Sequence, residues 1–119
     1  MPVIERSALE SQMGIPMPKM KDVRSMLRYN PVASVRDKVL EAYIVGSVAK
    51  GTNGNESDLD IAVIIPAKKA VSDYKFTDRY HQKFMQDSHK PNWQGMRVDF
   101  QFYYSSDALS EFSRMDCSK

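Results

Sequence analysis

Residues 42–63 read AYIVGSVAKGTNGNESDLDIAV, and this stretch decides how the rest of the chain is interpreted. A β-branched and aromatic run over residues 43–45 stops at Gly46, which is the pattern of a short strand. A polar loop rich in Gly and Asn follows, and a second, almost wholly apolar run covers residues 59–65. Such a run implies a strand buried on both faces in the centre of a sheet. The stretch therefore predicts two strands joined by a polar loop.

Three aspartates accompany the predicted strands. Asp58 and Asp60 stand two residues apart at the head of the second strand, so their side chains point to the same face. Asp99 lies in a later strand, on the face opposite its large apolar residues. If these two strands are neighbours, three carboxylates converge at one edge of the sheet. Two such charges about 6 Å apart repel by roughly 3 kcal/mol at an effective dielectric constant of 20, so the cluster requires a cation.

Magnesium suits such a cluster, because Mg²⁺ takes a few carboxylate oxygens and fills its remaining positions from water and phosphates. Two ions held in this way can stabilise both the attacking and the leaving oxygen of a displacement at phosphorus. The acids therefore point to metal-dependent phosphoryl chemistry on an NTP.

The turn after the first strand is suited to phosphate binding. Gly46 allows phosphate oxygens to approach the main chain, and Ser47 adds a hydroxyl donor. If a short helical turn begins at Ser47, its free N–H groups face the same oxygens. Lys50 can add a point charge. The match to a P-loop fails, because Gly51 is followed at residues 52–53 by Thr-Asn where Lys-Ser or Lys-Thr is required.

The remaining sequence predicts four helices and one more strand. Helices are expected over residues 23–27, 30–40, 70–87 and 106–115, the last capped by Ser106, and a strand over residues 96–104. Residues 89–95 read as a connection. The expected architecture is α+β: a small mixed sheet with helices packed on it.

Length and composition limit the alternatives. With 119 residues the chain supports one domain, expected over residues 21–119, preceded by a loose N-terminal arm at residues 1–20. The net charge of +2 is too small to indicate an obligate nucleic-acid partner. Cys117 is the sole cysteine, so no internal disulfide can form. Residues 1–20 are neither a secretion signal nor a membrane span, and a cytoplasmic location is the default expectation.

The blocks GSVAKG at 46–51, SDLDIAV at 57–63 and RVDF at 97–100 together resemble the nucleotidyltransferase superfamily related to DNA polymerase β. The likeness covers residues 43–104 and is strongest to the minimal, single-domain members. It implies a core like the polymerase β palm, two Mg²⁺ ions and an NTP substrate. One position departs from the common pattern, since Lys50 stands where many relatives have arginine.

The resemblance also implies a role for each matching residue. Asp58 and Asp60 would bind both metals, while Asp99 would bind one metal and help to deprotonate the acceptor. The positions implied for nucleotide binding are Gly46, Ser47, Lys50 and Ser57.

Two classes of function follow. The first is a Mg²⁺-dependent nucleotidyltransferase that moves an NMP group from an NTP, ATP foremost, to an acceptor hydroxyl and releases pyrophosphate. One domain leaves no room for acceptor recognition, so a macromolecule, a partner protein or a second copy is expected to complete the site. Minimal relatives acting as antitoxins pair with a HEPN-type ribonuclease toxin and can adenylylate it. The second class is a non-catalytic binding module, an antitoxin-like scaffold that keeps the fold without turnover.

Overall fold

A computed structural model describes residues 3–27, 39–54, 56–65 and 91–119. The helix expected over residues 70–87 lies outside these residues, as does nearly all of the one expected over residues 30–40. No helix in the described ranges is both long and apolar enough to cross a membrane.

The described residues form an α+β structure around one mixed sheet. Its strands are β1 (Glu41–Val45), β2 (Leu59–Ile64), β3 (Asn92–Trp93), β4 (Met96–Tyr103) and β5 (Met115–Asp116), in the order β3-β4-β2-β1-β5. The helices are α1 (Arg6–Met13), α2 (Met20–Leu27) and α3 (Gly46–Lys50). The predicted fold class is confirmed, and the apolar strand β2 occupies the centre of the sheet as its composition indicates.

The sheet is mixed because its central strand has one antiparallel and one parallel neighbour. Strand β2 pairs antiparallel with β1 and parallel with β4. A tight turn at Gln94 and Gly95, both with positive φ (50° and 86°), joins β3 to β4. The sequence predicts only a connection over residues 89–95. That prediction is wrong for β3, because a two-residue turn of this kind leaves Trp93 directly opposite Met96.

Alternation along the strands sends side chains to two separate clusters. One face of β2 contributes Leu59, Ile61 and Val63 to the main core, which also contains residues of α1 and α2. On the opposite face, Ala62 and Ile64 are buried in a smaller cluster. Burial of β2 on both faces explains why its sequence is nearly all apolar.

The N-terminal segment differs from the loose arm that the sequence indicates for residues 1–20. Within it, α1 buries Leu9 completely, and Met17 is only 2% exposed in the main core. Arg6 ties this segment to the C-terminus, because its guanidinium donates to the backbone carbonyls of Pro18, Cys117 and Lys119. The described part of this arm, from residue 3 onward, is therefore packed rather than loose.

The C-terminal segment is not the predicted helix over residues 106–115. A 3₁₀ turn covers Ser106–Leu109, and Ser105, not the predicted Ser106, caps it by accepting a hydrogen bond from the backbone N–H of Asp107. The chain then forms β5 against β1. Leu109 and Met115, which have helical spacing in the sequence, lie on opposite faces of the sheet, since Leu109 is buried in the smaller cluster and Met115 in the main core. A single helix could not bury one residue in each cluster.

Candidate active site

Parallel pairing of β2 with β4 brings Asp60 beside Asp99. The two residues are Cα partners in the strand register, so their side chains share a face of the sheet. The opposite face of β4 carries Val98, Phe100 and Phe102, all of them buried in the main core. Asp99 therefore lies on the predicted face, and its Oδ1 atom is buried. The sequence predicts that these carboxylates meet only if their two strands are neighbours in the sheet. The structure shows that β2 and β4 are neighbours.

Asp58 precedes β2 and acts electrostatically on Asp60. The pKa of Asp60 is raised to about 6, first by burial of the carboxyl and then by the negative charges of Asp99 and Asp58. Each of these causes disfavours the charged form. The surrounding residues therefore do not fully stabilise the negative charge of the Asp60 carboxylate.

This raised pKa predicts an unusual dependence of stability on pH. Because the folded pKa of Asp60 lies above the ordinary value of 3.8, its charged form destabilises the fold above about pH 6, and the effect vanishes below about pH 4. Since the carboxyl is only half buried, solvent screening reduces the effect to about 1 kcal/mol. We expect Asp60→Asn, measured by urea unfolding in EDTA, to be more stable than the unsubstituted chain at pH 7.

The control for this prediction is Asp107→Asn, which changes the same functional groups at an exposed position. The advantage of Asp60→Asn should disappear at pH 4, whereas Asp107→Asn should show no such trend. An Asp60→Asn advantage that is equal at both pH values would contradict the electrostatic explanation.

Gly46 stands against the Asp60 carboxylate. Its φ of 68° lies in the left-handed region, and Val45, the residue before it, is the register partner of Asp60. A Cβ built at Gly46 would overlap Asp60 Oδ2 and come within 2.9 Å of its Cγ. The sequence predicts that a glycine here lets phosphate approach the backbone; the structure shows a second reason, because the absent side chain makes room for the Asp60 carboxylate.

The other two predicted nucleotide-binding residues of this turn, Ser47 and Lys50, lie within α3. Ser47 is half-buried, and its carbonyl accepts a hydrogen bond of 2.9 Å from the backbone N–H of Thr52. Lys50 is exposed in the last turn of the helix. Gly51 ends the helix with φ of 74°, where the Gln12 side chain of α1 packs against it.

Ser57 has a local structural contact that the sequence motif does not reveal. Its hydroxyl oxygen accepts a hydrogen bond of 2.8 Å from the backbone N–H of Gly54, and its own N–H donates to the Gly54 carbonyl at 3.2 Å. These two bonds close a turn immediately before Asp58. Serine in turns commonly bonds backbone groups in this way, so the Gly-x-x-Ser spacing is the signal that could have predicted it.

Sequence reasoning did not single out Arg97. The residue lies two positions before Asp99 in β4 and therefore shares its face of the sheet. With Asp58 it lines a cavity of about 350 Å³ beside the acids. The alternation of β4 was the signal that could have identified Arg97, because it places residues 97 and 99 on one face of the strand and Val98 on the other.

The donor atoms suit a hard divalent cation, although they do not form a closed cage. Among the described ranges, no three His, Cys, Asp or Glu side chains are grouped so as to hold a metal ion. Asp60 and Asp99 nevertheless supply neighbouring carboxylates, and Mg²⁺ is commonly bound by one or two carboxylates together with substrate phosphates. The residues therefore fit a divalent cation that takes its remaining ligands from water or phosphate oxygens.

A mixed α+β sheet with acids paired on adjacent strands, next to a glycine turn, is consistent with the class of nucleotide-transferring folds. Comparison with known families agrees with this class: the family model described as the nucleotidyltransferase domain matches residues 30–117. The chain therefore belongs to the nucleotidyltransferase domain family. Searches of curated proteins and of solved structures give no match.

Proposed function

We propose that the chain is a Mg²⁺-dependent nucleotidyltransferase which transfers an NMP group from an NTP, with ATP as the first candidate, to an acceptor hydroxyl. The observation that carries this proposal is the in-register pairing of Asp60 with Asp99 beside the turn at Gly46. Membership of the nucleotidyltransferase domain family supports the same reaction class.

In the proposed reaction the acceptor oxygen forms a bond to the α-phosphorus of the NTP. The bond from that phosphorus to the oxygen bridging to the β-phosphate breaks, and pyrophosphate leaves with the electron pair. Asp99 accepts the proton of the acceptor hydroxyl, which is general-base chemistry by a carboxylate. Most of the rate enhancement comes from positioning and electrostatics, as is usual in phosphoryl transfer.

The carboxylates of Asp58, Asp60 and Asp99 would hold up to two Mg²⁺ ions. When bound, the ions would neutralise phosphate charge and stabilise the charged form of Asp60, whose pKa is raised by burial and then by the charges of Asp99 and Asp58.

The nucleotide would lie on the β1 side of the acids. Ser57 retains a hydroxyl proton to donate to a phosphate oxygen, because its oxygen is the acceptor in the turn with Gly54. Ser47 would donate its hydroxyl from the first turn of α3. Lys50 is exposed in the last turn of α3 and would supply a positive charge to the terminal phosphates. These roles extend the family resemblance to individual side chains of this chain.

The resemblance to minimal nucleotidyltransferases extends the proposal to a partner that completes the site. A HEPN-type ribonuclease toxin or a second copy of the chain would fill this role. Co-purification with a small helical protein would support the first, and a concentration-dependent dimer the second.

Binding of Mg²⁺ and ATP tests the proposal directly. At an ATP concentration 100-fold above Kd, the complex should be stabilised by about 2.7 kcal/mol. For a domain of this size that raises Tm by about 10 °C. The shift should require both components, and it should be lost in Asp58→Ala/Asp60→Ala but kept in Asp107→Asn. An unchanged Tm with Mg²⁺ and ATP together would contradict the proposal.

One observation favours the alternative of a binding module without turnover, namely the lack of a three-ligand metal group in the described part of the chain. A binding module would show no release of pyrophosphate with any acceptor. Pyrophosphate release that depends on Mg²⁺ and on Asp60 would exclude this alternative.

A further inference from the structure

The sheet has an open edge at Val3, on the outer side of β5. Val3 forms a parallel bridge with Arg114, and the backbone N–H of Ile4 donates to the Arg114 carbonyl at 2.8 Å. In this pattern the N–H and C=O of Arg114 point toward the N-terminal segment, whereas those of Val3 point away from the sheet. Within residues 3–27, 39–54, 56–65 and 91–119, neither backbone group of Val3 has a hydrogen-bond partner.

The side chain at this edge is apolar and exposed. Val3 is 56% exposed, and Leu40 is the other exposed large apolar side chain in the described part of the chain. A sheet edge that offers free backbone groups and an apolar side chain is a template for pairing with a further strand.

A cavity of about 680 Å³ lies next to this edge, between the start of α1 and β5. The charges that line it are balanced: Glu5, Glu10 and Asp116 against Arg6, Arg114 and Lys119. Because the two signs are equal in number, a second copy of the same surface meets it without net repulsion, and the acids of one copy can face the bases of the other. The charge pattern therefore favours a second copy of the chain as the occupant.

Two arginines fix the walls of this cavity. The Arg6 guanidinium donates to the backbone carbonyls of Cys117 and Lys119. On the other side, Arg114 Nη1 donates to the carbonyls of Leu109 and Phe112 at 3.1 and 3.2 Å. The surface is thus preformed, so that docking requires little ordering of the main chain.

We propose that this edge is the interface between two copies of the chain, related by a two-fold axis at Val3. A two-fold axis pairs the edge with itself in antiparallel orientation and places Val3 opposite Val3 of the second copy. Since both free backbone groups of Val3 point outward, the two residues exchange both N–H···O bonds. One such pair buries too little surface for a stable dimer, and the walls of the two cavities supply the remaining contact area.

The interface leaves the candidate active site open. Strand β5 lies outside β1, whereas Asp60 and Asp99 lie on β2 and β4. A dimer held at Val3 is therefore not one in which the second copy completes the site. The inference does not depend on the proposed function.

The Val3→Cys variant of the full chain tests the register. A hydrogen-bonded antiparallel pair has its Cα atoms about 5.5 Å apart, which a disulfide can span. Mild oxidation should therefore link most chains into covalent dimers on a non-reducing gel. The native Cys117 is only 1% exposed and should not form links. Leu40→Cys is the matched control, since Leu40 is equally apolar and exposed but does not line the cavity, and it should remain unlinked.

The affinity of the dimer gives a second measurement. Val3→Asp places two like charges directly opposite each other and should raise the Kd of the dimer by roughly 10-fold or more, measured by light scattering over a range of concentrations. Leu40→Asp should leave the Kd unchanged. A chain that stays monomeric at its highest soluble concentration would overturn the inference. A dimer that Val3→Asp does not weaken, or that Val3→Cys does not link, would equally overturn it.

Discussion

Replacing Asp60 by Asn should lower nucleotidyl transfer by at least about 10³-fold while making the metal-free protein more stable. The loss follows because the neutral amide would no longer attract the cation that the proposed reaction requires, and positioned charge supplies most of the catalysis in such reactions. The gain follows because burial, Asp99 and Asp58 all act against the Asp60 charge. Pyrophosphate release and urea unfolding, measured on the same preparation, check both halves.

Two further variants are compared with Asp60→Asn: Asp99→Asn at its partner in the site and Asp107→Asn as the control. Asp99 pairs with Asp60 in the register, so its replacement should produce a comparable loss of transfer. Asp107 is exposed in the 3₁₀ turn and should have no effect on transfer. If Asp60→Asn retained full transfer, the paired carboxylates would not be the catalytic centre.

Gly46→Ala should destabilise the fold by about 2–4 kcal/mol. About 1 kcal/mol arises from an L-residue at a positive φ, and the remainder from overlap of the new methyl group with the Asp60 carboxylate. Displacement of that carboxylate should also abolish transfer. Urea unfolding gives the first quantity and pyrophosphate release the second.

Gly14→Ala separates the two contributions. Gly14 also has a positive φ, 73°, but a Cβ there would meet no atom within 4 Å. Its substitution should therefore cost only the backbone part, about 1 kcal/mol. In an Asp60→Ala background the overlap with the carboxylate is removed, and only the Cβ of residue 60, 3.1 Å away, stays close. The cost of Gly46→Ala should therefore fall clearly in that background and approach that of Gly14→Ala. If Gly46→Ala cost as much in that background as in the unsubstituted chain, the Asp60 carboxylate would not be the reason why residue 46 is glycine.

Local patterns in the sequence predict the strands of the site well. The apolar run of β2 and the alternation of β4 each follow from the two-residue period of a strand. The C-terminal segment shows the limit of such patterns. Leu109 and Met115 have helical spacing, yet they are buried on opposite faces of the sheet, and β5 satisfies backbone groups on the outer edge of β1.

The N-terminal segment shows a second limit. Its prolines and polar residues favour a loose arm, whereas Leu9 and Met17 are buried and Arg6 holds the C-terminal backbone. Burial of this kind depends on surfaces formed by residues about a hundred positions away, which no local pattern encodes.

The amino-acid sequence by itself determined the central strand, the glycine turn before it and the spacing of Asp58 from Asp60, because these depend on neighbours within a few residues. Tertiary structure alone decided that Asp60 lies beside Asp99, that Gly46 leaves space for a carboxylate and that Arg97 borders a cleft. The physical reason is that strand register is set by packing between distant segments, and a shift of β4 by one residue against β2 would have sent Asp99 and Arg97 to the other face of the sheet.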